Sequence, residues 1–270
     1  MKKQIRGISL LLSIVLVLGS SLNVLANNSW NGYHWARTSN PFTLKVGDNV
    51  TSAWDSILNT TISDWTQSTV LNLTKVAGQA NSKNCRAASG RVEVCNATYG
   101  NNGWLGIAGI SVSGKHITSG YVKLNDTYYN TSTYNTTAWR NLVSCQEVGH
   151  TVGLDHQDEN FNNANLNTCM DYTNNPGTNQ HPNSHDYQQL VDIYSHLDST
   201  TTVGALIPAA DNFIMNAAFN DSDDPDDWGT PVRRTADGRE ILYVRDLGNG
   251  VRRFTFVFPV PGGPQDRHEF

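Results

Sequence analysis

The hydrophobic positions of the chain change period several times. "PFTLKVGDNV" alternates apolar and polar residues, which predicts a strand. In "TSAWDSILNTTISDWTQST" the residues Trp54, Ile57, Leu58, Ile62 and Trp65 recur near helical spacing, so a helix is expected with Thr51 or Ser52 as its cap. Its tryptophans read as core. "VLNLTKV" predicts a second strand, "GWLGIAGISV" a third and "HITSGYVKLND" a fourth, with "SGK" as the turn between the last two. "TTAWRNLVSCQEVGHTVG" predicts a helix capped by Thr136 or Thr137 and ended by Gly153. A polar, irregular stretch follows. "SHDYQQLVDIYSHL" then places Tyr187, Leu190, Val191, Tyr194 and Leu197 on one helical face, with Ser184 as the expected cap. The last fifty residues alternate again, with "DG" and "GNG" turn signals, and predict a small sheet. Strands and helices in this order predict an α+β fold.

The first residues add a compartment. Lys2, Lys3 and Arg6 precede the apolar "ISLLLSIVLVLG", and "VLA" supplies small residues for cleavage. Residues 1–26 are therefore expected to be a signal peptide and the mature chain to be secreted, with no stable membrane association. The expected divisions are a catalytic domain over 27–197, a linker over 198–222 and a β-rich tail over 223–270. Loss of the three basic residues takes the net charge from −5 to about −8. That argues against nucleic acid as a partner, because phosphate binding depends on Lys and Arg. For the same reason "VRRFTFVF" is read as a strand and not as a nucleic-acid patch. A monomer is expected. Four cysteines in an exported chain should pair. A local Cys85–Cys95 bridge is the simplest of the three connectivities and leaves Cys145 with Cys169, whose Cα atoms should then lie within about 7 Å.

The candidate chemistry lies in "SCQEVGHTVGLDH". A zinc hydrolase needs three protein donors, an open position and a base for a water proton. Gln146 and His150 stand four residues apart on one helical face. Glu147 lies beside them as the candidate base, Gly153 permits a sharp turn, and His156 returns as the third donor. The expected metal ligands are Gln146, His150 and His156. His116 and His181 stand in reserve.

The pattern Q-E-x-x-H-x-x-G-x-x-H resembles the signature of the metzincin metalloproteases, H-E-x-x-H-x-x-G-x-x-H followed by a Met-turn. Glu147, His150, Gly153 and His156 match, and Gln146 departs from it. "TCMDY" resembles the Met-turn, which implies Met170 as an apolar floor beneath the metal and Tyr172 as a catalytic residue that helps hold an oxyanion. "GWLGIAGISV" resembles the family's edge strand, which pairs with extended substrate. Residues 41–197 are most similar to the secreted, matrixin-like bacterial members. The resemblance implies a twisted mixed sheet, a backing helix, an active-site helix, a Met-turn and a C-terminal helix, with the small β tail outside the shared core. It also implies a zinc-dependent metalloendopeptidase that acts on proteins or peptides, with Zn2+ as cofactor. Ca2+ could support the Asp- and Asn-rich loops near 155–175. A bridge between Cys145 and Cys169 would tie the active-site helix to the Met-turn. Members are often kept latent by a pro-segment whose Cys or Asp caps the metal. No Cys precedes the first strand here, so latency is expected elsewhere or not at all.

A carboxamide oxygen is a weaker zinc donor than an imidazole. Two readings follow. Either Gln146 is a tolerated ligand and the chain is a peptidase, or zinc is absent and the cleft binds peptide without cutting it. A third makes the tail the functional unit, binding a surface polymer.

Overall fold

The computed structural model describes residues 27–205 and 221–262. The expected signal peptide, most of the expected linker and the last eight residues lie outside them. The chain is α+β, with a mixed sheet of ten strands and four helices. In chain order these are β1 (His34–Trp35), β2 (Phe42–Asn49), α1 (Asp55–Trp65), β3 (Leu71–Ala77), β4 (Ala88–Ser89), β5 (Val92–Ala97), β6 (Trp104–Ser113), β7 (His116–Asn125), α2 (Asp126–Tyr129), α3 (Thr137–Thr151), α4 (Ser184–Ile193), β8 (Thr230–Arg234), β9 (Glu240–Gly248) and β10 (Val251–Pro259). The sheet runs β3, β2, β5, β7, β6, β10, β9, β8, with β1 and β4 both on β7. Strands β2, β3, β5 and β7 pair in parallel, and β6, β10, β9 and β8 continue antiparallel.

Two helix starts differ from expectation. Helix α1 begins at Asp55, behind Trp54, with no side-chain cap. Thr51 is spent on a turn in which its carbonyl accepts from the Trp54 N–H at 2.8 Å. Helix α4 is capped by Asn183 in a capping box with Asp186, which displaces Ser184 into the first turn. Thr136 caps α3 as expected.

The tail is not a separate small sheet. Strand β10 pairs along the whole of β6, from Val251 opposite Ser113 to Pro259 opposite Trp104. This corrects the expectation that "GWLGIAGISV" forms an open edge. The reason is the side-chain pattern of β10. Phe254, Phe256 and Phe258 face the helices and join the main core, while Val257 faces the other side. There it meets Ile107, Trp104, Tyr121, Trp228 and Tyr243 in a second core. A strand apolar on both faces is stable only inside a sheet.

The aromatic N-terminal stretch, which shows no period, is also buried. The Trp30 indole donates to the His150 carbonyl at 3.2 Å and the Trp35 indole to the Thr151 carbonyl at 2.8 Å. These are carbonyls of the last turn of α3, where the regular helical hydrogen-bond ladder stops. Cys85–Cys95 and Cys145–Cys169 are both disulfides, each with a Cα separation of 5.9 Å. No described helix is long and apolar enough to cross a membrane.

Candidate metal centre

Helix α3 is buried from Asn141 to Thr151, and Gly153 ends it. Gly153 has φ +100°, and a Cβ there would come within 2.4 Å of the Tyr33 carbonyl oxygen. Its N–H reaches the His150 carbonyl and the Leu154 N–H reaches the Gly149 carbonyl. This Schellman ending turns the chain so that His156 comes back beside His150. The two rings are perpendicular, with centroids 4.6 Å apart.

Each expected ligand is held by the atom that would not touch a metal. Gln146 Nε2 donates to the Cys169 carbonyl at 2.7 Å, which leaves Oε1 free. His150 Nδ1 lies 2.8 Å from the Leu154 carbonyl. A carbonyl only accepts, so the proton is on Nδ1 and Nε2 carries a lone pair. His156 Nδ1 lies 3.2 Å from Glu159 Oε1, with the same consequence. Gln146 Oε1, His150 Nε2, His156 Nε2 and both Glu147 carboxylate oxygens are buried and have no hydrogen-bond partner. Buried polar atoms are rarely left so. Two imidazole nitrogens and an amide oxygen, each anchored through the opposite polar atom, are donors that a metal ion could use, the amide being the weakest.

Burial pushes Glu147 well above the usual carboxylate range. The Phe258 N–H comes near enough to favour the charged form, although neither oxygen gains a hydrogen bond of good geometry. Burial, followed by the neighbouring His156, holds His150 well below its ordinary value and keeps it neutral. Burial, followed by Glu147 and Glu159, raises Tyr172 well above its ordinary value, so its hydroxyl keeps its proton.

Met170 is buried, and a Cβ on Gly149 would fall 2.7 Å from its Sδ, so it packs on α3 one residue before His150. The Cys145–Cys169 bridge joins this turn to α3. Tyr172 stacks on Phe161 and lies 4.4 Å from the His156 ring.

The chain's own tail fills the remaining side of the site. The Phe256 ring stacks on the His150 ring at 4.1 Å and 14°. Tyr172 donates its hydroxyl to the Val257 carbonyl at 2.6 Å. Arg233 on β8 bonds both carboxylate oxygens of Asp155, at 2.6 and 2.8 Å, and Glu159 Oε1 at 2.8 Å, so it grips the loop that carries His156.

His150, His156 and Tyr172 thus stand together, and Gln146 and Glu147 lie on the turn of α3 before His150. The reserve histidines lie elsewhere: His181 bonds Asp64 at 2.7 Å, and His116 lies near His34 and Asp198. The acids near 155–175 are engaged by protein donors. Asp155 and Glu159 hold Arg233, while Asp171 accepts from Asn163, Asn179 and the Leu166 N–H. Sequence reasoning missed Glu159, whose only signal is its place three residues after His156; it missed Arg233, which carried none, and Phe256, whose signal is the alternation of phenylalanines at 254, 256 and 258. Compared with protein-family models and with curated proteins, the chain finds no match in either.

Proposed function

We propose that the chain is a secreted, metzincin-like zinc metalloendopeptidase held latent by its own C-terminal strand. One observation carries the reading: Gln146 Oε1, His150 Nε2 and His156 Nε2 are buried without partners, while the opposite polar atom of each side chain is anchored. The departure at Gln146 therefore preserves a donor. The Cys169 carbonyl fixes its amide as Leu154 and Glu159 fix the imidazoles.

A zinc ion held by Gln146, His150 and His156 would supply Lewis acidity to a water and to a peptide carbonyl. Glu147 takes the proton of the attacking water and passes it to the leaving amine. Tyr172 is a neutral donor whose hydroxyl bonds the Val257 carbonyl. With a substrate carbonyl in that place, the same hydroxyl would donate to the developing oxyanion. β10 lies antiparallel to β6, as an extended substrate would. Its Val257 carbonyl lies on Tyr172 and its Phe258 N–H near Glu147. On this reading the tail lies along the course an extended substrate would take and would keep the site closed.

The test is equilibrium dialysis against micromolar zinc, with His150→Ala beside the native chain. The native chain is expected to hold one zinc more than His150→Ala. Equal zinc contents in two folded proteins would leave a peptide-binding module as the better account.

A further inference from the structure

A second group of metal-type donors lies apart from the catalytic constellation, where β1, the start of β7 and the turn after α4 converge. His34 Nε2 is 3.5 Å from Asp198 Oδ1, His116 Nε2 is 3.2 Å from it, and His196 Nε2 is 3.8 Å from it. His196 Nε2 is also 3.2 Å from His34 Nε2. Donors about 2.0–2.1 Å from a tetrahedral ion stand about 3.3–3.4 Å from one another. The His34–Asp198 and His116–Asp198 separations fall near that edge length. The donor atoms of His34, His116 and Asp198 all lie within 4.8 Å of one another.

The orientation of the group also fits a metal. His34 Nδ1 lies 2.8 Å from the Gly32 carbonyl, so its proton is there and its Nε2 lone pair faces the cluster. Asp198 gives Oδ2 to the Arg37 guanidinium at 2.9 Å and to the Arg37 N–H at 3.1 Å. That leaves Oδ1 to the three imidazoles. The His34 Nε2 lone pair thus faces Asp198 Oδ1, a contact that a cation between them would relieve. The His34 and Asp198 side chains are nearly buried, whereas His116 and His196 are 38% and 53% exposed, so an ion has a way in from solvent.

We infer that His34, His116 and Asp198 form a structural zinc site that clamps the N-terminal segment to β7 and to the end of α4, with His196 beside His34 at its rim. Imidazole and carboxylate donors without thiolate favour zinc among the common ions. Arg37 is a positioning residue, since it touches Asp198 and not the donor cluster's centre. The clamp has a mechanical consequence. The segment it fixes carries Trp30 and Trp35, whose indoles satisfy the last carbonyls of α3, including that of His150. Loss of this zinc should loosen the end of α3 without removing any catalytic ligand.

The inference does not depend on the catalytic site binding zinc. The purified protein is dialysed against micromolar zinc and its metal is counted, beside His34→Ala, His116→Ala and His150→Ala. With both sites filled the native chain holds two zinc ions, and each variant holds one. If the catalytic site binds none, the native chain holds one, which His150→Ala keeps and His34→Ala and His116→Ala lose. His116 is partly exposed, so its variant should fold even where His34→Ala does not. Cobalt added to His150→Ala should give the intense visible bands of a tetrahedral ion, and cobalt added to His150→Ala with His116→Ala should not. If zinc content is unchanged in folded His34→Ala and His116→Ala, or cobalt in His150→Ala stays pale and octahedral, protons hold the cluster together and the inference fails.

Discussion

Phe256→Ala should activate the protein. Phe256 is fully buried. Its ring stacks on His150 at 4.1 Å and meets Trp30 at 5.3 Å and His156 at 6.0 Å. Truncating a phenylalanine so enclosed costs about 3–5 kcal/mol. The loss falls on the closed arrangement alone, because a displaced β10 makes none of these contacts. At about 1.4 kcal/mol for each tenfold, 3 kcal/mol raises the open fraction roughly 100-fold. The assay is cleavage of a quenched-fluorescent unfolded protein by the full chain with zinc present. Leu73→Ala is the control. It removes a buried side chain of comparable worth from β3, at the far edge of the sheet, and should destabilise the protein without activating it. A folded Phe256→Ala protein no more active than Leu73→Ala would refute the reasoning and make β10 a plain structural strand.

Other consequences follow from single contacts. Arg233→Ala removes the grip of β8 on Asp155 and Glu159. The Arg233 side chain is 30% exposed, so about 1 kcal/mol is expected, or roughly fivefold more peptidase activity, with less difference at high salt. Gln146→His should tighten zinc at least about 10–100-fold in competition with a chelator, since first-sphere changes exceed those behind the ligands; unchanged affinity would mean position 146 does not touch the metal. In the metal-free protein, Glu147 holds its proton when folded but loses it above its ordinary value of 4.5 when unfolded. Folding then binds protons, so this group lowers stability as pH rises from about 4.5 toward its raised folded value. Glu147→Gln should remove that loss, and its gain in melting temperature should grow across this window; a gain independent of pH would contradict the assignment.

The site was more legible than its surroundings for a physical reason. Glu147, His150, Gly153 and His156 are fixed relative to one another by one helix and one turn, and local spacing encodes such geometry. Gly153 could be read because only its positive φ brings His156 back. The partners that orient Gln146 and His150 are main-chain carbonyls of Cys169 and Leu154, which no side-chain pattern announces. The alternation of "VRRFTFVF" revealed a strand but not its neighbour. Three phenylalanines at every second position were the available hint that one face would be buried among aromatics. His34, His116, His196 and Asp198 are dispersed over most of the chain, so their convergence is a property of the sheet and of the end of α4. The caps of α1 and α4 fall a few residues or one residue from the expected positions, because a turn claims Thr51 and Asn183 outcompetes Ser184.

The most direct measurement is proteolysis by Phe256→Ala with and without Glu147→Ala, at a fixed zinc concentration and with matched folding. The account predicts cleavage by the single variant and none by the double variant. Cleavage that survives Glu147→Ala, or a zinc-loaded and folded Phe256→Ala protein that cuts nothing, would contradict it.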